Sequence, residues 1–488
     1  MHRADFVAAG VSGVLVSSAA LFAEPCPPDW SPAFPYDTTL YPFENKCIEL
    51  SQGTMHYVDE SLPGEPGSIV LLLHGNPTWS FLYRDIIPPL VEAGYRVVAP
   101  DYYGFGLSDK PALNDFGYTP AEHTDTMEEF ILALGLDDMT LVMQDWGGPI
   151  GVTLAARHPD RFQAVVIMNT LLQEISADDP SWNHVAVDFS IDNIVNENRY
   201  RTTGEFPRNM GNRLGELYGP RGSAEFRAVR DAYWGPFLDL TTGDPLGPDI
   251  VAPTNIFAQN LLLSASLLDG VDQSLRTTLN DLPLYMVYGG ADPFFGALRC
   301  DDNRQPACPD DLTCEARPDD EFCVEPDGDL AFLYVDRLRE LWNPRKIYGQ
   351  IISPDGGHFV QEYEQETIAM AIETVTEIAL TNGLSLQPPT PGRAGENNLM
   401  IITNATPGHR VALLYSRTPG QTEYPGCPGL TVNLTNPIVA DVARADSGGD
   451  VVFEAFVPSA ARLVDDLRAQ AVDLDECFVS NVVFIQFE

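Results

Sequence analysis

The residue best placed to do chemistry is Asp145, at the centre of residues 141–151, which read LVMQDWGGPIG. An apolar run ends at a polar pair, two glycines follow, and a helical pattern begins at Pro149. That order is typical of a nucleophile elbow between a strand and a helix. A carboxylate there can displace a leaving group from a saturated carbon, forming an alkyl ester that water must then hydrolyse. The alternative is an ordinary aspartate that caps a helix, so the choice depends on partner residues.

Two other residues can stabilise charge that develops beside Asp145. Trp146 follows directly, and it offers an indole N–H to a leaving group and a backbone N–H to an oxyanion. Asn76 lies in the loop after a predicted strand, where the second oxyanion donor of such an elbow is found, and its amide carries two further donors. Two neutral N–H donors that converge on one point can hold a halide without adding formal charge.

These side chains need a scaffold that brings distant loops together. Short apolar runs predict strands at the ranges 46–49, 55–59, 69–73, 95–99, 139–143, 164–168 and 347–352. Helical patterns at 79–93 and 119–136 separate some of them, so the sequence predicts an α/β fold. His74, Asp101 and Asp109 also resemble catalytic residues, but we interpret all three as hydrogen-bonding residues of their loops.

Four motifs together resemble the haloalkane dehalogenases of the α/β-hydrolase superfamily. They are HGNPTW (74–79), GFGLSDKP (104–111), QDWGG (144–148) and GGHFVQE (356–362), within a match over roughly residues 45–380. The resemblance implies an α/β-hydrolase fold, Asp145 as nucleophile, and Trp146 with Asn76 as the halide-binding pair. It also implies conversion of a small halogenated substrate to alcohol, halide ion and proton, with no cofactor and no metal.

The same resemblance indicates the other two catalytic residues. One branch of the family carries a Glu after the strand that follows the elbow, where this chain has Asn169; other branches use an Asp one strand later, which points to Asp292 as the acid. The chain order Asp145, Asp292, His358 is the nucleophile, acid, base order of the fold. His358 would deprotonate the attacking water, while Asp292 would hold its tautomer. Asparagine at position 76 favours the branch that pairs Asn with Trp, although Trp182 leaves open a second donor from the cap.

Residues 171–281 separate two strands that must be neighbours in the sheet, which predicts an inserted helical cap. Trp182 and Phe237 are its candidate pocket-lining residues. Phe237 lies in the stretch YWGPF, which resembles a substrate-facing cap segment of the family. The alternative is that these aromatic residues belong to the core of the cap.

The remaining segments complete the predicted domain organisation. The hydrolase core comprises 24–170 and 282–385, interrupted at 297–329 by an acidic segment with four cysteines, which predicts a disulfide-held surface loop. The cysteine spacings match no zinc finger, and Asp327 and Asp329 hint at calcium without a full ligand loop.

The composition of residues 386–395 predicts a linker. Short strands predicted at 399–403, 410–415, 450–457, 469–473 and 481–486 indicate an all-β, Ig-like sandwich over 396–488. This module has no catalytic grouping; it could contact a cell surface or a glycan, or only stabilise the chain.

Charge and the N-terminus bound the partners and the compartment. The chain has 70 acidic and 28 basic residues, a net charge of -42, which argues against nucleic acid and anionic membranes as partners. Residues 1–23 predict a cleaved signal peptide, with a membrane anchor as the alternative, and no other stretch has transmembrane length. We therefore expect a periplasmic or extracellular protein, in which Cys26 pairs with Cys47 and Cys427 with Cys477.

Two other functions remain open from the residues. An epoxide hydrolase shares the Asp, His and Asp set but protonates its leaving oxygen with cap tyrosines. A cell-envelope binding protein could retain the hydrolase scaffold as a ligand pocket, although it would not need all three catalytic positions.

Overall fold

The structure is a computed structural model of the chain. It describes residues 25–28, 30–64, 67–172, 184–292, 313–317, 320–324, 333–381, 384–427, 430–459, 461 and 467–487. The predicted signal peptide, Trp182 and most of the acidic segment lie outside these residues.

The site is built on a sheet in which the described strands follow the order β1-β2-β4-β3-β5-β6-β7-β10. β1 and β2 are antiparallel to their neighbours, and all pairs from β4 to β10 are parallel. The strands are β1 (Lys46–Leu50), β2 (Gly53–Glu60), β3 (Ile69–Leu73), β4 (Arg96–Pro100), β5 (Met139–Asp145), β6 (Phe162–Thr170), β7 (Leu284–Gly289) and β10 (Ile347–Ser353). The predicted α/β fold is confirmed, and each predicted strand of the sheet is present within about two residues.

Helices cover the sheet because its central strands are apolar on both faces. Leu71, Leu73 and Met143 face one core cluster, while Leu72 and Val142 face the other. The flanking helices are α1 (Ile87–Glu92), α2 (Pro120–Ala133), α3 (Gly147–Arg157), α10 (Leu333–Leu341) and α11 (Gln365–Thr381).

The predicted helix over 79–93 is wrong as a single element. A 3₁₀ turn at Ser80–Tyr83 is followed by the short helix α1. Pro88 and Pro89 lack the N–H that a helix interior requires, so both lie in the first turn of a new helix. The second predicted helix is confirmed as α2, which starts with a capping box between Thr119 and Glu122.

A helical insertion follows β6 and precedes β7, which are paired neighbours in the sheet. Its described residues form α4 (His184–Val195), α5 (Glu197–Thr203), α6 (Glu205–Tyr218), α7 (Ala224–Trp234), α8 (Pro248–Leu263) and α9 (Ala265–Ser274), and then a π-helical turn, Leu275–Leu279. No single described helix is long and apolar enough to cross a membrane. The residues of α8 and the helical residues 265–279 that follow reach the required length and apolar character only when taken together, and the two parts are bent by 70° relative to each other.

The C-terminal part consists of antiparallel β-sheets. Its described strands are β11 (Ser385–Leu386), β12 (Asn397–Thr403), β13 (Arg410–Ser416), β14 (Pro419–Glu423), β15 (Thr431–Leu434), β16 (Ile438–Arg444), β17 (Val451–Phe456), β18 (Leu467–Asp473) and β19 (Phe478–Ile485). They pair in the orders β11-β12-β17, β16-β13-β18-β19 and β14-β15. The five predicted strands are present, and β11, β14, β15 and β16 are additional.

The stretch predicted as a linker is partly structured. Leu386 pairs with Ile402 in the sheet, and Thr390 forms a bridge to Leu399, so the β-structure begins before the predicted spacer ends. The stretch is rich in proline and glycine, which is typical of a spacer. Its pairing partners, Ile402 and Leu399, lie outside the stretch, so its composition alone does not indicate the β-structure.

Two predicted cysteine pairs are confirmed. The disulfide Cys26–Cys47 joins Cα atoms 4.6 Å apart, and Cys427–Cys477 joins Cα atoms 5.4 Å apart. In the acidic segment, Cys314 and Cys323 occupy facing positions in a hairpin of β8 (Thr313–Arg317) and β9 (Asp320–Val324).

Candidate active site

Asp145 is the last residue of β5, and its backbone has the positive φ of 50° that a sharp strand-to-helix turn demands. The turn is possible because the next elements approach closely. A Cβ at Gly147 would lie 2.3 Å from the Leu73 carbonyl oxygen, and one at Gly148 would lie 1.8 Å from Thr170 Oγ1. Both positions therefore require glycine, and the geometry is that of the predicted elbow.

The Asp145 carboxylate is held between two loops. Its Oδ1 accepts the backbone N–H of Asn76 at 2.7 Å, and its Oδ2 lies 3.3 Å from His358 Nε2. A Cβ at Gly75 would lie 2.3 Å from Asp145 Cβ, so glycine allows this loop to come close enough. The side chain is largely buried, with 9% of the residue exposed. A carboxylate that is largely shielded from water and accepts a backbone N–H on Oδ1 is suited to nucleophilic attack by Oδ2.

His358 lies between two carboxylates. Its Nδ1 donates to Asp292 Oδ2 at 2.9 Å, while Nε2 faces Asp145. Burial disfavours the charged ring, but Asp292 and Asp145 together outweigh it and raise the pKa of His358 to about 10. The two neighbouring carboxylates therefore favour the protonated form of the His358 ring.

Asn169, which was not among the predicted site residues, holds Asp292 in place. Fully buried at the end of β6, it donates to Asp292 Oδ2 at 2.7 Å and accepts the backbone N–H of Gly289 at 2.7 Å. It thereby fixes Asp292, which in turn orients His358. Its position one strand after the elbow was noted only for the absence of an acid, and a polar residue at the end of a buried strand was the available signal.

A cavity joins the polar groups to an apolar wall. Asn76, Asp145, Trp146 and His358 line one side, and the helical insertion supplies Phe189, Phe206, Met210, Ala258 and Leu261. Asn76 Nδ2 donates one hydrogen to the Thr254 carbonyl at 2.9 Å, which leaves its second amide hydrogen for another acceptor. The Trp146 ring stacks on Phe257, with centroids 5.5 Å apart and planes at 24°.

Not every candidate pocket residue reaches this cavity. Phe237 is fully buried and packs edge-on against Phe105, with ring centroids 5.8 Å apart, outside the cavity lining. It is a core residue, since it belongs to the same cluster of buried apolar side chains as Phe105 and Phe257. Trp182 lies outside the described residues.

The three residues interpreted as structural have structural contacts. His74 Nδ1 donates to the Gly75 carbonyl at 2.9 Å, and Nε2 accepts the Tyr102 backbone N–H at 3.1 Å. Complete burial lowers the pKa of His74 to about 4, so the ring is neutral. The Asp101 carboxylate accepts the backbone N–H groups of Ser80 and Leu107, and that of Asp109 accepts the backbone N–H of Thr54. The structural interpretation is confirmed for His74 and Asp101, which bond backbone groups of their own loops, whereas the Asp109 carboxylate bonds the backbone of β2 rather than that of its loop.

A possible metal-ligand group lies far from this cavity in sequence, in the β-structure. Side-chain ligand atoms of His409, Asp473 and Glu476 lie within 4.8 Å of one another. Asp473 already accepts from His409 and from the backbone N–H groups of Asp475 and Glu476, so these contacts are explained by a hydrogen-bonded turn.

Curated proteins resemble part of this chain. Haloalkane dehalogenase 2 of Mycobacterium bovis is 50% identical over 137 residues, which are 28% of this chain and 46% of that protein. A cis-3-alkyl-4-alkyloxetan-2-one decarboxylase of Shewanella oneidensis is 40% identical over 133 residues, 27% of this chain and 40% of that protein. The chain thus spans about half the length of the curated relatives it matches.

A solved structure and a family model cover more of the chain. The haloalkane dehalogenase DpaA from Paraglaciecola agarilytica is 24% identical, with a TM-score of 0.49, over 70% of this chain and 94% of that one. The family model of the alpha/beta hydrolase fold matches residues 68–314, which include Asn76, Asp145 and Asp292. With the sheet order, the elbow at Asp145 and this match over half of its residues, the chain belongs to the alpha/beta hydrolase fold family.

Proposed function

We propose that this protein hydrolyses small haloalkanes to an alcohol, a halide ion and a proton, through an alkyl ester on Asp145. The observation that carries the proposal is a carboxylate at the elbow, in one cavity with Asn76, Trp146 and His358. The stretch of 50% identity to a haloalkane dehalogenase supports it. In this proposal Asp145, His358 and Asp292 are catalytic, while Trp146 and Asn76 bind halide.

In the first step, an Asp145 carboxylate oxygen attacks the carbon that carries the halogen, and the carbon–halogen bond breaks with its electron pair on the halide. The Trp146 indole N–H and the free amide hydrogen of Asn76 stabilise that ion. The apolar wall from α4, α6 and α8 excludes water, which strengthens these hydrogen bonds.

In the second step, water attacks the ester carbonyl of Asp145 while His358 Nε2 removes its proton. Esterification removes the Asp145 charge, so the pKa of His358 falls, the ring gives its proton to solvent, and the neutral imidazole then acts as the base. The backbone N–H of Asn76, already 2.7 Å from Asp145 Oδ1, stabilises the oxyanion, with the backbone N–H of Trp146 as the second donor. When the tetrahedral intermediate collapses, His358 gives that proton to the departing alkoxide oxygen to form the alcohol, and the Asp145 carboxylic acid then gives its own proton to His358, which restores the carboxylate and the protonated ring.

An epoxide hydrolase needs proton donors that this cavity lacks among the described residues. Tyr218 and Tyr233 both donate their hydroxyls to Glu362, and the Tyr200 hydroxyl donates to Asp192. No described tyrosine of the helical insertion lines the cavity. A halide requires no protonation, so the arrangement favours dehalogenation.

The experiment is a product assay over a small panel: 1-bromobutane and bromoethane for halide release, one epoxide for diol, and one cis-oxetan-2-one for carbon dioxide. Bromide release abolished in Asp145→Ala supports the proposal, and Trp146→Phe should lower cleavage by about 10²-fold. Asp115→Ala, an exposed aspartate, is the matched control.

Each other result identifies a different function. Diol alone indicates an epoxide hydrolase, and carbon dioxide alone indicates the activity named for the Shewanella relative. No product from any substrate, with the protein folded, favours the binding protein of the cell envelope.

We also infer export. The disulfides Cys26–Cys47 and Cys427–Cys477 are compatible with an oxidising compartment. The proposed signal peptide of residues 1–23 predicts a mature chain that starts at Glu24, which N-terminal sequencing of the secreted protein checks. We further propose that the C-terminal strands form an Ig-like module. This module would contact a cell surface or a glycan.

A further inference from the structure

The mechanism leaves unused a buried carboxylate close to the catalytic histidine in sequence. Glu362 is 7% exposed and ends a 3₁₀ turn, Val360–Glu362, that begins two residues after His358. Its two oxygens accept from Arg84 Nη1 and Nη2 at 2.9 and 2.7 Å. Such a bidentate pair is strong and directional, because the planar guanidinium matches both carboxylate oxygens.

Two tyrosines from the helical insertion complete this cluster. The Tyr218 hydroxyl donates to Glu362 Oε2 at 2.5 Å, and the Tyr233 hydroxyl donates to Oε1. Arg84 Nη2 also donates to the Tyr218 oxygen at 2.6 Å. Burial would raise the pKa of Glu362, but Arg84 and the two hydroxyls outweigh it and hold that pKa below its usual value. The carboxylate is therefore charged and joins the core to the insertion.

The cluster contacts the helix that forms part of the cavity wall. Tyr218 is the last residue of α6, whereas Phe206 and Met210, which line the cavity, lie about 18 and 12 Å earlier along the same helix. α7 is packed tightly on α6, since a Cβ at Gly211 would lie 2.4 Å from Trp234 and one at Gly215 would lie 2.8 Å from the Phe226 carbonyl oxygen. The hydrogen bonds from Tyr218 and Tyr233 to Glu362 therefore hold α6 and α7 together as one unit.

We propose that Glu362 is a positioning residue that holds the α6–α7 pair against the histidine loop and so sets the width of the cavity between Phe206, Met210 and His358. The role rests on the proposed function. It makes substrate size, rather than the chemical steps, the property that the cluster controls, because neither Glu362 nor its tyrosines line the cavity.

The test uses tyrosine variants, because Glu362→Gln would leave Arg84 charged and buried against an uncharged partner and could prevent folding. Tyr218→Phe with Tyr233→Phe removes two hydroxyls and keeps both rings. The Trp79 indole N–H still donates to the Ala232 carbonyl at 2.9 Å, so α7 keeps one attachment to the core. Tyr200→Phe is the matched control, because that hydroxyl bonds Asp192 within the insertion.

In the double variant, we expect the ratio of kcat/KM for 1-bromohexane to that for bromoethane to rise about three- to tenfold, through KM more than kcat. Hydrogen exchange across residues 205–218 should accelerate, and Tyr200→Phe should leave both measurements unchanged. Tyr218→Phe alone serves if the double variant fails to fold.

A folded variant with unchanged exchange and unchanged size ratio would overturn the proposal, as would faster exchange without a change in the ratio. Absence of halide release from the wild-type protein would instead contradict the proposed function. The exchange measurement would then still decide whether the cluster holds α6.

Discussion

At the scale of single residues, the site depends on one imidazole between two carboxylates. Asp145 and Asp292 both favour the protonated His358 ring, so in the proposed mechanism esterification of Asp145 is the step that lets the ring lose its proton. In that mechanism the Asp145 charge that attacks the substrate also controls when His358 becomes available as a base. Attack itself needs no base, since an aspartate is ionised at neutral pH.

The proton bound to His358 should make the unfolding free energy depend on pH. The folded-state pKa of His358, about 10, lies above the ordinary value of 6.5, so protonation stabilises the fold fully below pH 6.5 and the contribution disappears as the pH rises to about 10. We expect the difference in unfolding free energy between wild type and His358→Gln to fall by up to about 1.4 kcal/mol per pH unit across that window. Urea unfolding at pH 6.5, 8 and 9.5 measures it, and a difference independent of pH would contradict the charge assignment.

Asn169 should matter through Asp292. Asn169→Ala removes a 2.7 Å hydrogen bond to the acid, which leaves His358 less well oriented. A hydrogen bond to a charged group contributes about 1.5–3 kcal/mol, so we expect hydrolysis of the alkyl-enzyme to slow by about 10- to 100-fold. Single-turnover kinetics check this, with Asn280→Ala, whose amide bonds the Arg276 carbonyl on an exposed helix end, as the control. Equal effects of the two substitutions would exclude a positioning role.

At the scale of elements, the elbow depends on contacts too short for any side chain. Gly148→Ala would place a Cβ against Thr170, whose hydroxyl donates to the Asp145 carbonyl. We expect a loss of about 1–3 kcal/mol in unfolding free energy and at least a tenfold loss of halide release. Gly270→Ala, at an exposed position of helix α9 with nothing within 4 Å of the new Cβ, should instead raise the unfolding free energy by about 0.5–1 kcal/mol. Loss of stability without loss of activity in Gly148→Ala would show that the elbow tolerates movement.

Elements with strong local signals could be predicted from the sequence. The apolar run 69–73 and the loop that follows it are local patterns, and β3 and Asn76 lie where the sequence places them. The helix over 79–93 failed because two prolines interrupt an otherwise apolar pattern. β16 was missed because Ile438, Val439 and Val442 are exposed, so its residues show no alternation between buried and exposed positions.

Residues whose role depends on distant partners could be predicted only where a sequence motif identifies them. Asp145, Asp292 and His358 were expected together because their motifs and chain order carry the information, and the structure brings them into contact. Asn169 and Glu362 carry no motif, and their roles come from partners 123 and 278 residues away. Phe237 illustrates the reverse case, since an aromatic residue in a cap-like stretch packs in the core.

At the scale of the whole molecule, a net charge of -42 means that the folded chain repels itself. Salt screens this repulsion, so the melting temperature should rise by several degrees between 0.01 and 0.5 M NaCl at pH 8. The rise should be smaller at pH 5, closer to the isoelectric point of about 4.3. Calorimetry measures both, and a melting temperature that is constant or falls with salt at pH 8 would show that acidic self-repulsion does not limit stability.

The central claim is that an Asp145 ester forms and that His358 is needed to hydrolyse it. Mass spectrometry of His358→Gln after incubation with 1-bromobutane tests it most directly. We expect the protein mass to increase by one butyl group in place of a proton, located on the peptide that contains Asp145, with one equivalent of bromide released. Steady turnover by His358→Gln, or an adduct on any other residue, would contradict it.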